Sequence, residues 1–351
     1  MKRVNYLMLM ALTVSTCVTS TFAADKPIKW KLAETWPANF PLYGEATKEF
    51  AKKVNEMSDG RLVISIDSAN KHKAPLGIFD FVKSGQYQMG HSASYYWKGK
   101  DINTLFFTTM PFGMISAERA AWFNYGGGSQ LAKKVYDQHG MTQYPAGAGS
   151  QMGGWFKKEI NSLEDLKGLK MRIPGFAGEV LAEVGASVAS IPPGELYTAL
   201  ERNTIDALEW VGPSFDLRMG FHKIAPYYYT GWHEPGSEIQ FLVNNAAFDK
   251  LPADLQLILK TAMNESAASV TNRLYHENAA NWVKMKKEYP NIEVKTFPPE
   301  VMTALRTANE KLVNELEAKG GLTAEIIDAQ RKYRAQVREW TDISDKAYLN
   351  N

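Results

Sequence analysis

The feature that most constrains this chain is an apolar period that switches between two residues and three to four. Ile28 to Glu34 alternates apolar and polar residues as a half-buried strand does, and Trp36-Pro37 breaks the run. Tyr43, Ala46, Phe50, Val54 and Met57 then recur at helical spacing and stop at Ser58-Asp59-Gly60. Leu62, Ile64 and Ile66 alternate again. Ile78 to Ser84 reads as a helix and Tyr87 to His91 as a third strand. The order βαβαβ predicts a parallel sheet wrapped by helices.

A second series predicts strands around Trp155-Phe156, Leu169 to Ile173 and Ala207 to Val211. Helices are expected from Ser162-Leu163-Glu164, over Val180 to Val184 and over Gly194 to Asn203, with Ala189 to Pro192 extended between the last two. From Pro252 onward the pattern is almost wholly helical. One stripe there is Val301, Leu305, Ala308, Leu312 and Leu316; another is Ile326, Gln330, Tyr333, Val337 and Trp340. No later chain covers that last stripe, which either packs back on its own lobe or covers a second subunit.

Two series and a chain of 351 residues exceed what one core serves, so the fold class is α/β with two lobes and a cleft between them. The expected division is 25–145 for the first lobe, 146–250 for the second and 251–351 for a helical region that completes both. Residues 1–24 read as a cleaved signal peptide. Lys2 and Arg3 precede an apolar Leu7 to Val18, and Thr21-Phe22-Ala23 offers a small-residue cleavage site. The apolar stretch is shorter than the roughly 20 residues a membrane helix needs. Cys17, the single cysteine, leaves with that peptide, and a lipidated Cys17 is disfavoured by the bulky Thr16 before it. The mature chain then has no disulfide and no thiolate metal site. Losing Lys2 and Arg3 takes Lys+Arg from 40 to 38, against 38 Asp+Glu, a balance with no footprint for nucleic acid or an anionic membrane.

Catalytic signatures are absent: no Gly-x-Ser-x-Gly elbow, no phosphate-binding Gly-x-x-x-x-Gly-Lys loop, no His-Glu-x-x-His pair. The six histidines share no ligand spacing and read as surface or core residues. Gly126-Gly127-Gly128 follows a helical run and reads as a helix end and turn. Arg172, on a strand ended by Pro174-Gly175, can grip a carboxylate with two parallel hydrogen bonds, or form a surface ion pair. Glu209 sits among Ala207, Leu208, Trp210 and Val211, where a carboxylate must be protonated, paired or bound to a cation. The aromatic run Tyr227-Tyr228-Tyr229-Thr230-Gly231-Trp232-His233-Glu234-Pro235-Gly236 suits a small-ligand wall or a hinge core.

Met171-Arg172-Ile173-Pro174-Gly175, then Pro192-Pro193-Gly194-Glu195-Leu196-Tyr197-Thr198-Ala199-Leu200-Glu201, then Ile205-Asp206-Ala207-Leu208-Glu209-Trp210 resemble the periplasmic substrate-binding proteins of TRAP transporters. The resemblance runs from Trp30 to the terminal helix. It implies a two-lobed periplasmic-binding-protein fold, a periplasmic location, and delivery of an organic acid to a sodium-driven membrane permease. Trp210 stands where most of that family has asparagine, and the chain is similar instead to the subgroup that binds 2-oxo acids such as pyruvate, or lactate. The resemblance implies that Arg172 holds the ligand carboxylate. It also implies that Gln151, Glu209, the Trp210 carbonyl and Glu234, with Glu238 as the alternative, hold a bridging sodium or calcium ion. Tyr95 and Tyr96 are candidates for the opposite wall. Two glutamates and a ligand carboxylate against one arginine leave two excess negative charges, which a hard cation would neutralise. The competing expectation is a metal-dependent lyase or aldolase with Glu209 or Glu234 as general base.

Overall fold

The computed structural model describes residues 26–149 and 153–351. Residues 1–24 and Gln151, to which the sequence assigns a signal peptide and a cation ligand, lie outside them.

The first sheet has the order β2-β1-β3-β10-β4, from β1 (Ile28–Glu34), β2 (Leu62–Asp67), β3 (Met89–Ser92), β4 (Met141–Gly149) and β10 (Ser237–Asn244). β1 pairs parallel with β2 and β3, as the βαβαβ pattern predicts, and β10 enters antiparallel between β3 and β4. The second sheet has the order β11-β9-β5-β8-β6-β7. Its strands are β5 (Gly154–Phe156), β6 (Lys170–Arg172), β7 (Ser187–Ala189), β8 (Ala207–Glu209), β9 (Tyr227–Tyr229) and β11 (Glu293–Lys295). β6 runs parallel to β7 and β8, while β5 lies antiparallel between β8 and β9.

The sheets do not follow contiguous stretches of chain. Residues 237–244, expected within the second lobe, form a strand of the first sheet, because pairing between distant segments leaves no trace in local periodicity. The third strand also starts two residues later than expected, since Tyr87 N–H is drawn into a turn onto the Phe81 carbonyl. Ser162 to Leu166 yields only a short 3-10 turn.

The chain therefore passes between the sheets three times, from β4 to β5, from β9 to β10 and, through two helices, from β10 to β11. A helix at Ala253–Glu288, 36 residues and about 54 Å long, bridges the lobes. Its buried stripe, Leu255, Leu259, Met263, Val270 and Leu274, packs over β4, the helix Tyr43–Met57 of the first lobe and the helix Pro213–Met219 of the second. The helix Pro299–Glu317 buries Val301, Leu305, Ala308 and Leu316 as its stripe predicts. The helix Gly321–Ile343 packs back on its own chain through Ile326 and Ile327, but the far end of its stripe is open, with Trp340 66% exposed. Gly126 and Gly127 form the expected helix end and turn, Gly127 at φ 90°. No described helix is long and apolar enough to cross a membrane.

A bulge shapes the end of β4. Ile239 faces Gly147 and Gln240 faces Pro145, so Ala146 is the extra residue. Gly147 sits at φ 116°, and a Cβ there would lie 2.6 Å from Val270 Cβ. Gly147→Ala should cost about 1–3 kcal/mol through backbone strain and a similar amount through overpacking, read as a lower denaturation midpoint. Gly127→Ala, at a positive φ with open space around it, should lose only the strain part.

Candidate functional site

The carboxyl ends of β6 and β8 bring together the two charged residues that the sequence singled out. Parallel pairing sets Arg172 beside Leu208, so Arg172 and Glu209 finish neighbouring strands. Both are about 1% exposed and form a direct ion pair through Arg172 Nη1 and Glu209 Oε1. Arg172 Nη1 also donates to the Glu209 carbonyl at 3.3 Å and Nε to the Ile191 carbonyl at 3.3 Å, while Nη2 reaches Tyr96 Oη at 3.4 Å. The guanidinium therefore spends all three of its nitrogens at once, a geometry a lysine cannot reproduce. Burial opposes its charge most strongly, but Glu209 together with Tyr96 and Tyr95 outweighs that and holds Arg172 above its ordinary pKa.

The first lobe supplies the opposite wall. The 3-10 turn Ser94–Trp97 after β3 carries Tyr95 and Tyr96, edge to face with centroids 4.9 Å apart. Tyr95 lies over Gly175, whose Cβ would stand 3.1 Å from Tyr95 Cδ1 and whose φ is 70°; glycine is required there on both counts. Trp210 faces the Arg172 guanidinium at 5.2 Å and Phe40 edge-on at 6.1 Å, and its buried Nε1 donates to no protein group. At the mouth, Lys98 of the first lobe ion-pairs with Glu179 of the second and donates to the Gly175 carbonyl at 3.3 Å.

The crossing from β9 to β10 adds the remaining acids. Glu234 is buried and accepts from the Ser237 hydroxyl. Burial first, then the charge of Glu209, pushes it up to about 8, against the weaker pull of Arg172 and Arg119. Glu238, also buried, is pushed up to about 7 by burial, although its Oε1 accepts from Ala146 N–H at 3.1 Å and Gly147 N–H at 2.8 Å, the two amides turned inward by the bulge. His233 Nε2 stands 3.8 Å from Glu209 Oε2, and neither ring nitrogen has a hydrogen-bond partner. The expectation that every histidine is a surface or satisfied core residue fails at His233 and also at His222, whose two ring nitrogens are likewise buried without a partner among the described residues; of the two, it is His233 that lies beside Glu209. It reaches Glu209 only because the crossing folds back across β5 and β8.

Arg172, Glu209, Trp210, Tyr95, Tyr96 and Glu234 thus meet at one cleft, with Glu238 behind them at the bulge. The donor chemistry suits a hard cation: buried carboxylates that stay basic for want of a nearby positive charge, next to a carbonyl at Trp210. Among the described residues no three of His, Cys, Asp and Glu cluster as a metal site by themselves, so a cation here needs oxygens from other groups as well.

The family model for bacterial extracellular solute-binding proteins, family 7, matches residues 32–319. The chain belongs to that family. Family 7 proteins serve transport, which sets aside the lyase or aldolase alternative, and they work outside the cytoplasm. A TRAP periplasmic solute-binding protein from Colwellia psychrerythraea, crystallised with calcium and pyruvate, is 65% identical. It aligns over 93% of this chain and 100% of its own, with a TM-score of 0.92. A second, from Pseudoalteromonas atlantica with sodium and pyruvate, is 64% identical over 93% of this chain and 99% of its own, with a TM-score of 0.91. A monocarboxylate 2-oxoacid-binding periplasmic protein of a Nostoc species is 36% identical over 95% of this chain and 91% of its own. The two-lobed TRAP architecture expected from sequence is the one observed.

Breaking the buried pair from one side should be far costlier than removing it. Arg172→Met is expected to destabilise the ligand-free protein by about 3–5 kcal/mol in urea denaturation, because Glu209 is left uncompensated. Adding Glu209→Gln should restore most of the loss.

Proposed function

We propose that this family 7 protein captures a short 2-oxo or 2-hydroxy monocarboxylate, pyruvate-like in size, together with a sodium or calcium ion, and delivers it to TRAP-type membrane permease subunits. The observation that carries this reading is a buried arginine, Arg172, paired with Glu209 beside two further buried carboxylates, Glu234 and Glu238, that no arginine pairs with among the described residues. One arginine suits one ligand carboxylate, and the surplus acid suits a cation. The relatives crystallised with pyruvate beside calcium or sodium support the same pairing.

In this reading Arg172 turns part of its fork from Glu209 to the ligand carboxylate, and Tyr96, with Tyr95, meets the ligand from the first lobe. Glu209, the Trp210 carbonyl, Glu234 and Gln151 hold the cation. The choice of Glu234 over Glu238 is supported by their partners: Glu238 is occupied by two backbone amides, whereas Glu234, among the described residues, accepts from the Ser237 hydroxyl alone. Residues 1–24 act as a cleaved export signal in the same proposal.

Calorimetric titration tests it. Pyruvate should bind, and succinate and a hexuronate should bind at least tenfold more weakly; tight binding of only those two would overturn the reading. Ligand affinity should fall at least tenfold after chelation and removal of sodium, since shared oxygens couple the two sites by about 1–3 kcal/mol or more.

Cation binding should also release a proton. Glu234, facing Glu209, Arg172 and Arg119, is protonated below about 8 in the cation-free protein, and the cation takes the ionised form. Apparent cation affinity should thus rise by up to about tenfold per pH unit as pH climbs toward 8, then level off. A flat profile would remove Glu234 from the ligand set.

A homodimer is proposed on the open end of the last long helix, where Trp340, Ile343, Tyr348 and Leu349 are each more than half exposed. Sedimentation should show a dimer that Trp340→Glu dissociates; a monomer at all micromolar concentrations would end this proposal.

A further inference from the structure

The helix Ser116–Tyr125 carries two neighbouring charges with opposite fates. Glu118 takes Arg338 at 2.8 Å and the Thr341 hydroxyl at 2.8 Å, a complete set of partners. Arg119 points the other way, into the molecule, and is 0% exposed. Its one hydrogen bond is a long contact from Nη1 to the Phe106 carbonyl at 3.4 Å, and that carbonyl already accepts from Gln330 Nε2 at 2.9 Å. Arg119 Nε and Nη2 are buried with no partner among the described residues. Burial lowers its pKa to about 10, with Glu238 and then Glu234 pulling it back up, yet no hydrogen bond joins it to either among the described residues. A buried guanidinium without a counter-ion costs several kcal/mol and calls for an explanation.

The explanation lies beside it. Arg119 lines a cavity of about 80 Å³ between the turn Phe106–Met114 and the helices Pro299–Glu317 and Gly321–Ile343. Arg331 and Arg334 line it too, as does Asn309, which is 8% exposed with Oδ1 unpartnered. Rotation of that amide presents its N–H instead. Arg331 is matched by Glu317, and Arg119 and Arg334 share the cavity lining with Glu310 alone, so the lining itself carries one more positive charge than negative, while Glu238 and Glu234 act on Arg119 from outside it. Arg334 is itself held below its ordinary pKa by burial and by Arg338 and Arg331.

We propose that this cavity is an anion site, distinct from the solute cleft, for one small monovalent anion of halide or formate size held by Arg119 Nε and Nη2. The volume holds a few water-sized atoms, which fits an anion of that size. Water alone would satisfy the two N–H groups but leave the charge unbalanced.

Bromide and chloride are the probes. Crystals of the full-length mature protein grown in sodium bromide should show an anomalous peak within hydrogen-bond reach of Arg119 Nε and Nη2. In solution, chloride should raise the melting temperature saturably over gluconate at equal ionic strength. Val313→Phe, which fills the cavity without touching the cleft, should weaken the apparent chloride affinity at least tenfold while leaving pyruvate affinity within twofold. Asn309→Leu should weaken chloride in the same sense if Val313→Phe fails to fold. Waters alone in the cavity in the bromide crystals, or an undiminished chloride response in the folded cavity variant, would overturn the assignment.

Discussion

Everything near the cleft depends on the burial of more acid than base where the two sheets meet. Glu209 and Arg172 neutralise one another at adjacent strand ends, but Glu234 and Glu238 enter the same interior with only hydroxyl and amide donors. Transfer of an ionised carboxylate into such surroundings is prohibitive unless it is paired, protonated or bound to a cation. The interior answers in two ways, by raising the pKa values of the two acids and by placing every guanidinium nitrogen of Arg172 on an oxygen. A hydrophobic junction would be easier to fold and unable to discriminate between solutes.

The backbone has been bent to serve these acids. The extra residue at Ala146 turns two successive amides toward Glu238, and Gly147 occupies a conformation that other residues reach only under strain. The bulge lies in β4, directly before the chain leaves the first sheet. Its twist therefore bends the end of β4 as well as satisfying the carboxylate.

Much of this was legible in the sequence, and what was not has a common cause. Ile28 to Glu34, Tyr43 to Met57 and the stripe from Val301 to Leu316 carry periods that their own neighbours set, so they fold as read. Arg172 and Glu209 stood out because a charge on a strand of apolar residues is locally anomalous. Arg119 did not, since Ala-Glu-Arg-Ala on a helix reads as a solvated face and only the later packing of two C-terminal helices encloses it. His233 was visible as part of an aromatic loop, but its approach to Glu209 depends on the return of the chain across the second sheet. The placement of β10 between β3 and β4 is likewise a pairing between residues 88 to 154 positions apart, for which local pattern holds no signal.

The two lobes are tied together in two ways. The chain itself joins the sheets, and Glu234 lies on one of the joining segments, so a cation bound beside it would sit where the sheets are covalently linked. Lys98 and Glu179 join the lobes through space, from the turn after β3 to the helix after β6. An exposed ion pair of small intrinsic worth can therefore bias the angle between lobes, and because it is screened by salt, the resting angle becomes a function of the ionic strength around the protein.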